Sequence, residues 1–260
     1  MSYSELFREF SRLKPLIKSF AESDFKARYK TSTLGFIWAI IEPLFVLSIL
    51  YVVFTNIMKF EVENYQLYLL LGIINWNLFS RGTNMGLGSI INRGHIIKNV
   101  YFSRIILPFS TTITAFMFAG IEFAIFGVFL AVFGFLPGYT VIYLIPLMFL
   151  MFILILGLSF LFSVLYVRFR DLQYIWSIVI MAGFFVSPII YQVEMFPENL
   201  QKIILISPVA QIMNMSYDVT LKNSIPTVEN ILYTVLVVAA IFIIGIIVFR
   251  NQQKRIVERI

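Results

Sequence analysis

Six long apolar stretches follow one another along the chain, each near the roughly 20 residues that a helix needs to cross a membrane. They cover residues 34–57, 65–87, 109–135, 141–167, 174–191 and 231–249. Asn75, Asn77 and Arg81 interrupt the second stretch, together with several glycines, so we expect a broken helix there. The pattern predicts an all-α integral membrane protein with six transmembrane helices.

The first 33 residues carry a different pattern, in which apolar residues recur at three- and four-residue steps between Arg and Lys. The apolar positions are Tyr3, Leu6, Phe7, Phe10, Leu13, Ile17 and Phe20. This periodicity predicts an amphipathic helix in the membrane interface. Pro15 is expected to kink or divide that helix.

The longest connection between predicted spans, residues 192–230, follows the fifth stretch. It contains the sequence LQKIILISPVAQIM, which is too short to span a membrane and is interrupted by Pro208. We therefore expect short helices at the outer face between spans five and six, lying on that face or dipping into it.

Basic residues are distributed unevenly among the connections. Of the 20 Lys and Arg residues, all but Lys59, Lys202 and Lys222 fall before the first stretch, around the connections after the second and fourth, or in the tail. Because cytoplasmic segments hold the excess of Lys and Arg, both termini are predicted to be cytoplasmic. The chain then divides into a cytoplasmic amphipathic segment (1–33), a six-span domain (34–249) and a basic cytoplasmic tail (250–260).

The composition agrees with a protein surrounded by lipid and excludes several classes of function. The chain is 60% hydrophobic and 13% charged, whereas a soluble domain is about half apolar and a quarter charged. It has no Cys, so disulfides and thiolate metal sites are excluded. It has no phosphate-binding loop motif, no basic soluble face for nucleic acid, and a single His95 without metal-binding partners. We expect a transport protein rather than an enzyme, with no metal ion and no nucleic-acid partner.

Polar and aromatic residues inside the apolar stretches are the candidate functional residues, because buried charges in a membrane are costly and mark functional sites. Glu122 either fastens one helix to another or lines a pathway, and Glu42, next to Pro43, either shapes a cavity wall or marks an irregular contact. Arg81 is interpreted as a residue whose side chain extends to lipid phosphates. The candidate substrate path is Trp38, Glu42, Asn75, Trp76, Asn77, Glu122, Phe184, Phe185 and Tyr191.

Four sequence blocks, in order, resemble the permease subunits of type 2 ABC exporters of polysaccharides. DFKARYKTSTLGFIWAIIEPL (24–44) resembles the family's first span, and IIKNVYFSRIILPFS (96–110) its cytoplasmic stretch before span three. YVRFRDLQYIW (166–176) is similar to the loop before span five, and SPIIY (187–191) to the end of that span. The family's usual Phe-Pro-Arg is Phe102-Ser103-Arg104 here. The residues that carry the first block are Arg28, Tyr29, Leu34, Gly35, Trp38 and Pro43.

The resemblance implies a homodimeric channel in the cell inner membrane, with two copies of a separate ATP-binding cassette subunit that bind ATP and Mg. It also implies export of a lipid-linked polysaccharide such as O antigen, capsule or teichoic acid. The N-terminal helix and the loop at 96–104 are the expected docking surfaces, rather than a solvated connector, because apolar side chains in this loop need cover. The docking residues are Phe7, Phe10, Ile96, Ile97, Lys98, Tyr101, Phe102 and Arg104. The residues expected to anchor the inner face at the headgroups are Lys26, Arg28, Lys30, Arg168 and Arg170.

Two alternatives stand beside this function. One is a type 2 ABC exporter of drugs or small lipids. The other is a channel or proton-coupled carrier that works alone and uses Glu42 and Glu122.

Overall fold

The computed structural model describes residues 3–29, 35–59, 62–99 and 102–253, and these residues form ten α-helices and no β-strand. The helices are α1 (Tyr3–Tyr29), α2 (Trp38–Val52), α3 (Tyr65–Gly88), α4 (Gly94–Asn99), α5 (Ile106–Val132), α6 (Leu144–Arg168), α7 (Leu172–Val186), α8 (Glu198–Ile204), α9 (Pro208–Thr220) and α10 (Val228–Gln252). The predicted all-α class is therefore confirmed for the described part of the chain.

Four helical segments of the described residues are long and apolar enough to cross a membrane. They are Trp38–Ile57, in which a π-turn over Val53–Ile57 extends α2, then α5, then Tyr139–Arg168 with α6, and α10. The other two predicted spans also correspond to helices but do not meet both conditions. Helix α3 has 24 residues and lower hydropathy, and α7 is apolar but has only 15 residues.

Helix α3 lies at the centre of the bundle, packed against α5, α6, α2 and α9. The prediction of a broken helix is wrong, because α3 runs without interruption from Tyr65 to Gly88. Asn75 bonds within the helix, from Nδ2 to the Leu71 carbonyl at 2.9 Å. The glycines serve close contacts instead of breaks: a Cβ on Gly86 would lie 2.0 Å from Ser159 Oγ of α6.

Helices α6 and α10 cross with their backbones in close contact. A Cβ on Gly245 would lie 2.2 Å from the carbonyl oxygen of Gly157, and a Cβ on Gly157 would lie 2.7 Å from the Cα of Phe242. Small residues allow helices to approach in this way in membranes, where dispersion contacts rather than hydrophobicity drive helix association.

Helix α1 is a single helix that includes Pro15, so of the two expected effects of Pro15, a kink or a division, the division does not occur. Its carboxyl-terminal half packs against α5. Ile17 and Ala21 are buried, and the ring of Phe25 stacks on Phe118 at 4.7 Å between centroids. The helix is therefore fastened to the bundle and does not only lie along a membrane surface.

The segment between α7 and α10 contains the short helices α8 and α9, as predicted. Pro208 is the first residue of α9, a position where its missing N–H has no cost. Helix α9 packs against α6, α10 and α3, and Ile212, Met213 and Met215 are fully buried. It is thus inserted into one end of the bundle.

Candidate functional site

Arg81 of α3 and Glu122 of α5 form a buried ion pair inside the helical bundle. The Nη2–Oε1 distance is 2.7 Å, and the two side chains are 9% and 1% exposed. Such a pair is shorter and stronger than a neutral hydrogen bond. Each partner also compensates the buried charge of the other, which would be costly if it were alone. The interpretation of Arg81 as a residue that extends to lipid phosphates is wrong, because its guanidinium turns inward to Glu122.

A second, looser pair lies beside the first and links α1 to α2. Arg28 Nη2 is 4.0 Å from Glu42 Oε2, and the side chains are 42% and 52% exposed. Phe118 joins the two pairs, since the Arg28 and Arg81 guanidinium carbons lie 5.5 Å and 5.1 Å from its ring centroid. Cations over an aromatic face at this distance are attracted to it.

We call Arg28, Glu42, Arg81 and Glu122 the charge cluster. It connects α1, α2, α3 and α5 at one level of the bundle. Arg81 Nη1 and Glu122 Oε2 are buried without a hydrogen-bond partner among the described residues. Of the two interpretations of Glu122, its contact with Arg81 matches the one in which it fastens helices together.

A cavity of ≈ 400 Å³, with polar side chains in a largely apolar wall, lies next to the charge cluster, between the end of α1, the end of α3 and the start of α5. We call it the arginine cavity; it is lined by Asp24, Ala27, Arg28, Met85, Ser89, Asn92, Arg93, Thr111 and Phe118. Arg93 forms an ion pair with Asp24, donates to Ser110 Oγ at 3.3 Å and lies over the Phe20 ring at 4.7 Å. Arg93 therefore belongs to the fixed wall of the cavity.

Four of the five aromatic residues proposed for the substrate path lie in α3, in α7 or just after α7. Trp76 is 7% exposed, meets Phe184 edge to face at 6.3 Å, and lines an apolar cavity of ≈ 270 Å³ that is also lined by Trp176. Phe185 is 65% exposed, and the Tyr191 hydroxyl donates to the Val186 carbonyl. The structure therefore brings Trp76 into contact with Phe184, and of these two only Trp76 lines the cavity, which is nearly without polar groups.

The remaining path candidates are spread over three environments. Asn75 is fully buried in α3, and its Oδ1 has no hydrogen-bond partner among the described residues. Asn77 is half-buried, and Trp38 is 46% exposed at the start of α2. Glu42 and Glu122 are the only path candidates that the charge cluster contains.

Three tyrosines that the sequence did not single out form a second polar cluster, the tyrosine cluster: Tyr65 and Tyr68 of α3 and Tyr217 of α9. Their hydroxyls donate to backbone carbonyls in residues 188–191, where the chain leaves α7. The oxygen–oxygen distances are 2.7 Å from Tyr65 to Ile190, 2.7 Å from Tyr68 to Tyr191, and 2.8 Å from Tyr217 to Pro188.

The rings of Tyr68 and Tyr217 stack at 3.9 Å. Burial raises the pKa of the Tyr217 hydroxyl above its ordinary value. The only sequence signal for these contacts was the SPIIY segment itself, which leaves carbonyls without helical partners.

The apolar side chains of the proposed docking loop are partly covered by the chain itself. Ile97 is 8% exposed and packs with Ile90 and Leu107, and Phe102 lies 5.8 Å from the Phe20 ring. Arg104 donates to the Gln253 carbonyl at the end of α10. The need for cover, which favoured docking, is therefore met within the chain for Ile97 and Phe102.

The other docking candidates lie at the surface, or their side chains fall outside the described part of the chain. Ile96 is half-buried, and Lys98 is exposed. Phe7 and Phe10 lie in the part of α1 whose side chains are not described, and Tyr101 lies outside the described residues.

The anchoring candidates lie at helix ends. Lys26 is exposed near the end of α1, 4.0 Å from Glu22, and Lys30 lies outside the described residues. Arg168 and Arg170 are exposed around the short connection from α6 to α7. Arg28 differs from them because it takes part in the charge cluster.

A third charged group follows α7 in the chain. Lys222 Nζ lies 2.5 Å from Glu194 Oε1 and 3.1 Å from Asp218 Oδ1. Burial alone would raise the pKa of Glu194, but hydrogen bonds from Lys222 and the backbone together lower it. Burial raises the pKa of Asp218, and Lys222 only partly offsets this.

The chain is similar to proteins of known name over nearly its whole length. Residues 15–221 match the family described as ABC-2 type transporter. The chain is 31% identical over 248 residues to the O-antigen export system permease protein RfbA of Klebsiella pneumoniae, with 94% of each chain covered.

Two more distant relatives have related names. The protein of the same name in Myxococcus xanthus is 23% identical over 257 residues, which cover 98% of this chain and 99% of that one. The polysialic acid transport protein KpsM of Escherichia coli is 22% identical over 253 residues, which cover 94% and 96%. The resemblance inferred from the sequence blocks is confirmed, and the chain belongs to the ABC-2 type transporter family.

Proposed function

We propose that this chain is the permease subunit of an ATP-driven exporter that moves a lipid-linked polysaccharide of the O-antigen kind across the cell inner membrane. The observation that carries the proposal is its 31% identity, over 94% of both chains, to a permease named for O-antigen export. The second group of relatives is named for transport of another polysaccharide, polysialic acid. A polysaccharide is therefore the cargo class that both names support.

The proposed permease has six spans with both termini in the cytoplasm. Helix α3 is long enough to cross, about 36 Å at 1.5 Å per residue, and its lower hydropathy follows from its position, since protein rather than lipid covers it. Helix α7 is about 22 Å long by the same rise, and residues 187–191, which follow it as a turn, lie in the rest of the crossing in this proposal. Its exposed apolar side chains suit lipid or a second copy of the chain.

ATP and Mg bind to a separate ATP-binding cassette subunit in this proposal, and two copies of each subunit form the exporter. Among the described docking candidates of the loop, Lys98 is exposed and Ile96 is half-buried, so both are accessible to a partner. The basic inner face of the chain suits an orientation in which this loop meets the ATPase.

The test is co-purification of the full chain with an ATP-binding cassette subunit in mild detergent, followed by an ATPase assay. We expect ATP hydrolysis by the complex, none by this chain alone, and accumulation of lipid-linked polymer inside cells that lack the chain. Failure to recover an ATPase, or proton-driven flux in liposomes that contain this chain only, would favour the carrier alternative.

Charge reversal tests the docking surface and the orientation together. Lys98→Glu is expected to reduce recovery of the ATPase, whereas Lys202→Glu, an exposed lysine in α8, should leave recovery unchanged. Equal recovery with both variants would contradict docking at the loop. Loss with Lys202→Glu alone would contradict the proposed orientation.

A further inference from the structure

The apolar cavity of ≈ 270 Å³ is bounded by α3, α6, α7, α9 and α10, and we call it the tryptophan cavity because Trp76 and Trp176 line it. Along α7 it reaches from Trp176, in the second turn, to Ser187, the residue after the helix. The steps from 176 to 187 correspond to about 16 Å at 1.5 Å per residue, which is about half of the roughly 30 Å thickness of the hydrocarbon core. The tryptophan cavity is therefore about as long as one membrane leaflet is deep.

The tryptophan cavity reaches the surface of the chain along α7. Val179 and Val186 belong to its wall and are 47% and 58% exposed. Helix α7 packs against α3 and α6, and no residue of this helix is buried. Ile206, beside the wall residue Ser207 in the chain, is 63% exposed. Because α7 is a proposed membrane span, the opening is reached from the membrane rather than from water.

The wall of the tryptophan cavity suits a ligand without polar groups. A buried water molecule needs about two to four polar partners, and a sugar hydroxyl placed there without a partner would be costly. The side chains that carry hydroxyls in this wall are Ser187 and Ser207, and the Trp176 indole N–H is already donated to Thr83 Oγ1 at 3.1 Å. A hydrocarbon chain needs no partner and gains dispersion contacts with the aromatic rings. The chemistry of the wall therefore favours a hydrocarbon chain over water and over a sugar.

The hydroxyls of the wall lie where helices end. Ser187 follows α7, and Ser207 precedes α9. The adjoining Ile206 carbonyl accepts a hydrogen bond at 2.9 Å from Tyr233, in the second turn of α10. In the proposed topology α7 ends and α10 begins at the outer face, so this end of the cavity lies near the level at which the ester groups of a lipid begin. A lipid chain can enter with its ester end at these serines.

We propose that the tryptophan cavity binds an acyl chain of a membrane phospholipid, and that Trp76 contacts this chain rather than a sugar. The cavity fits such a chain in its length, in its apolar wall, in its opening toward the membrane and in the position of its two serines. The site is independent of the proposed cargo, because it requires only the lipid that surrounds the protein.

Quenching of tryptophan fluorescence by brominated lipid tests the proposal, because bromine quenches an indole only at close range. The reporter is the full chain with Trp38→Phe and Trp176→Phe, in which Trp76 is the remaining tryptophan. It is reconstituted into vesicles of dioleoyl phosphatidylcholine, or of the same lipid with bromine added across its double bonds. Trp76 is 7% exposed. Contact of its ring with brominated carbons in the cavity should lower its fluorescence about twofold.

A buried indole away from the cavity is the matched control. Phe126 is 3% exposed, lies in α5 and does not line the tryptophan cavity. Phe126→Trp, in a chain whose three tryptophans are replaced by Phe, should lose much less fluorescence than Trp76 in the same brominated vesicles. Similar quenching of both indoles would show that bilayer lipid reaches buried rings in general, and would overturn the proposal.

Two substitutions in α7 test whether the chain enters through the opening. Val179→Phe places a larger side chain there and should restore most of the Trp76 fluorescence in brominated vesicles. Ile178→Phe, at a neighbouring position that is 61% exposed and outside the wall, should leave the quenching unchanged. Equal quenching in both variants would contradict entry by this route and overturn the proposal. If the reporter does not fold, the chain with Trp38→Phe alone replaces it, since Trp76 and Trp176 both line the cavity.

Three further results would also overturn the proposal. Absence of quenching of Trp76 at every ratio of protein to lipid would show that no acyl chain enters. Quenching that appears only when the protein is strongly diluted in lipid would show that a second copy of the chain covers the opening. Relief of the quenching by a small fraction of an unbrominated polyisoprenoid alcohol would show a site for an isoprenoid chain instead.

Discussion

The tyrosine cluster and the charge cluster both place polar groups among apolar helices, and they do so with different chemistry. In the tyrosine cluster, neutral hydroxyls of Tyr65, Tyr68 and Tyr217 donate to carbonyls that the end of α7 leaves without helical partners. In the charge cluster, Arg81 and Glu122 are ionic partners, and each has one buried atom without a hydrogen-bond partner in the described part of the chain.

The difference follows from what each cluster must satisfy. A backbone that leaves a helix inside a membrane needs a donor for each carbonyl, and a neutral hydroxyl provides it without burying a charge. A buried ion pair is stable only while both partners are present. The tyrosine cluster therefore holds one conformation of the chain, whereas the unpaired atoms of the charge cluster leave room for a different set of partners.

The largest effect is expected from removal of one member of the buried ion pair. Glu122→Leu leaves the Arg81 guanidinium buried without its acid, which should cost about 3–5 kcal/mol in the free energy of unfolding. The measurement is reversible unfolding of the detergent-solubilised chain. The double variant Arg81→Met, Glu122→Leu should recover most of the loss, because apolar side chains suit the site. A double variant as unstable as the single one would show that Glu122 acts through contacts other than Arg81.

A smaller effect is expected in the tyrosine cluster. Tyr217→Phe leaves the Pro188 carbonyl with only the longer bond from Tyr68, at 3.1 Å, and should cost about 1–3 kcal/mol in the free energy of unfolding. Tyr233→Phe is the matched control, since its hydroxyl also donates to a carbonyl, that of Ile206, but at the surface. Water can replace that bond, so equal losses in both variants would contradict a special role for burial.

These two clusters mark the limit of what the sequence could predict. The helix positions followed from apolar stretches of membrane length, so residues 65–87 and 231–249 were close to α3 and α10. The pairing of Arg81 with Glu122 joins positions 41 residues apart on different helices, and no local pattern encodes such a contact. The expected break in the second span was wrong for a related reason. Gly82 and Gly86 of α3 allow close contact with Ile155 and Ser159 of the neighbouring helix α6, and that contact is not encoded locally.

A third prediction concerns the charged group after α7, where solvent exposure limits the contribution of the ion pairs to the free energy of unfolding. Glu194 is 55% exposed, so Glu194→Gln should cost between a few tenths and about 1 kcal/mol at neutral pH. Because the folded pKa of Glu194 is lowered, its contribution is present above the ordinary carboxyl pKa of about 4.3 and is lost as the pH falls through the lowered value. Unfolding measured from neutral to acidic pH should show the wild type and Glu194→Gln converging in acid.

The control for that measurement is Glu198→Gln, at an exposed position in α8 for which the described residues provide no ion pair. It should show no difference from the wild type that depends on pH in the same interval. A difference between the wild type and Glu194→Gln that grows toward acid would contradict the sign of the effect.

The smallest effect is expected at the loose pair, and it tests whether the charge cluster has two parts or one. Arg28 and Glu42 are 4.0 Å apart and about half exposed, so Glu42→Gln should change the free energy of unfolding by at most about 0.5 kcal/mol. The measurement compares the free energies of unfolding of Glu42→Gln and Glu122→Leu in the same detergent. A loss near that of Glu122→Leu would mean that Phe118 couples all four charges into one unit. The ionic unit that stabilises the bundle would then join the four helices α1, α2, α3 and α5, instead of only α3 and α5.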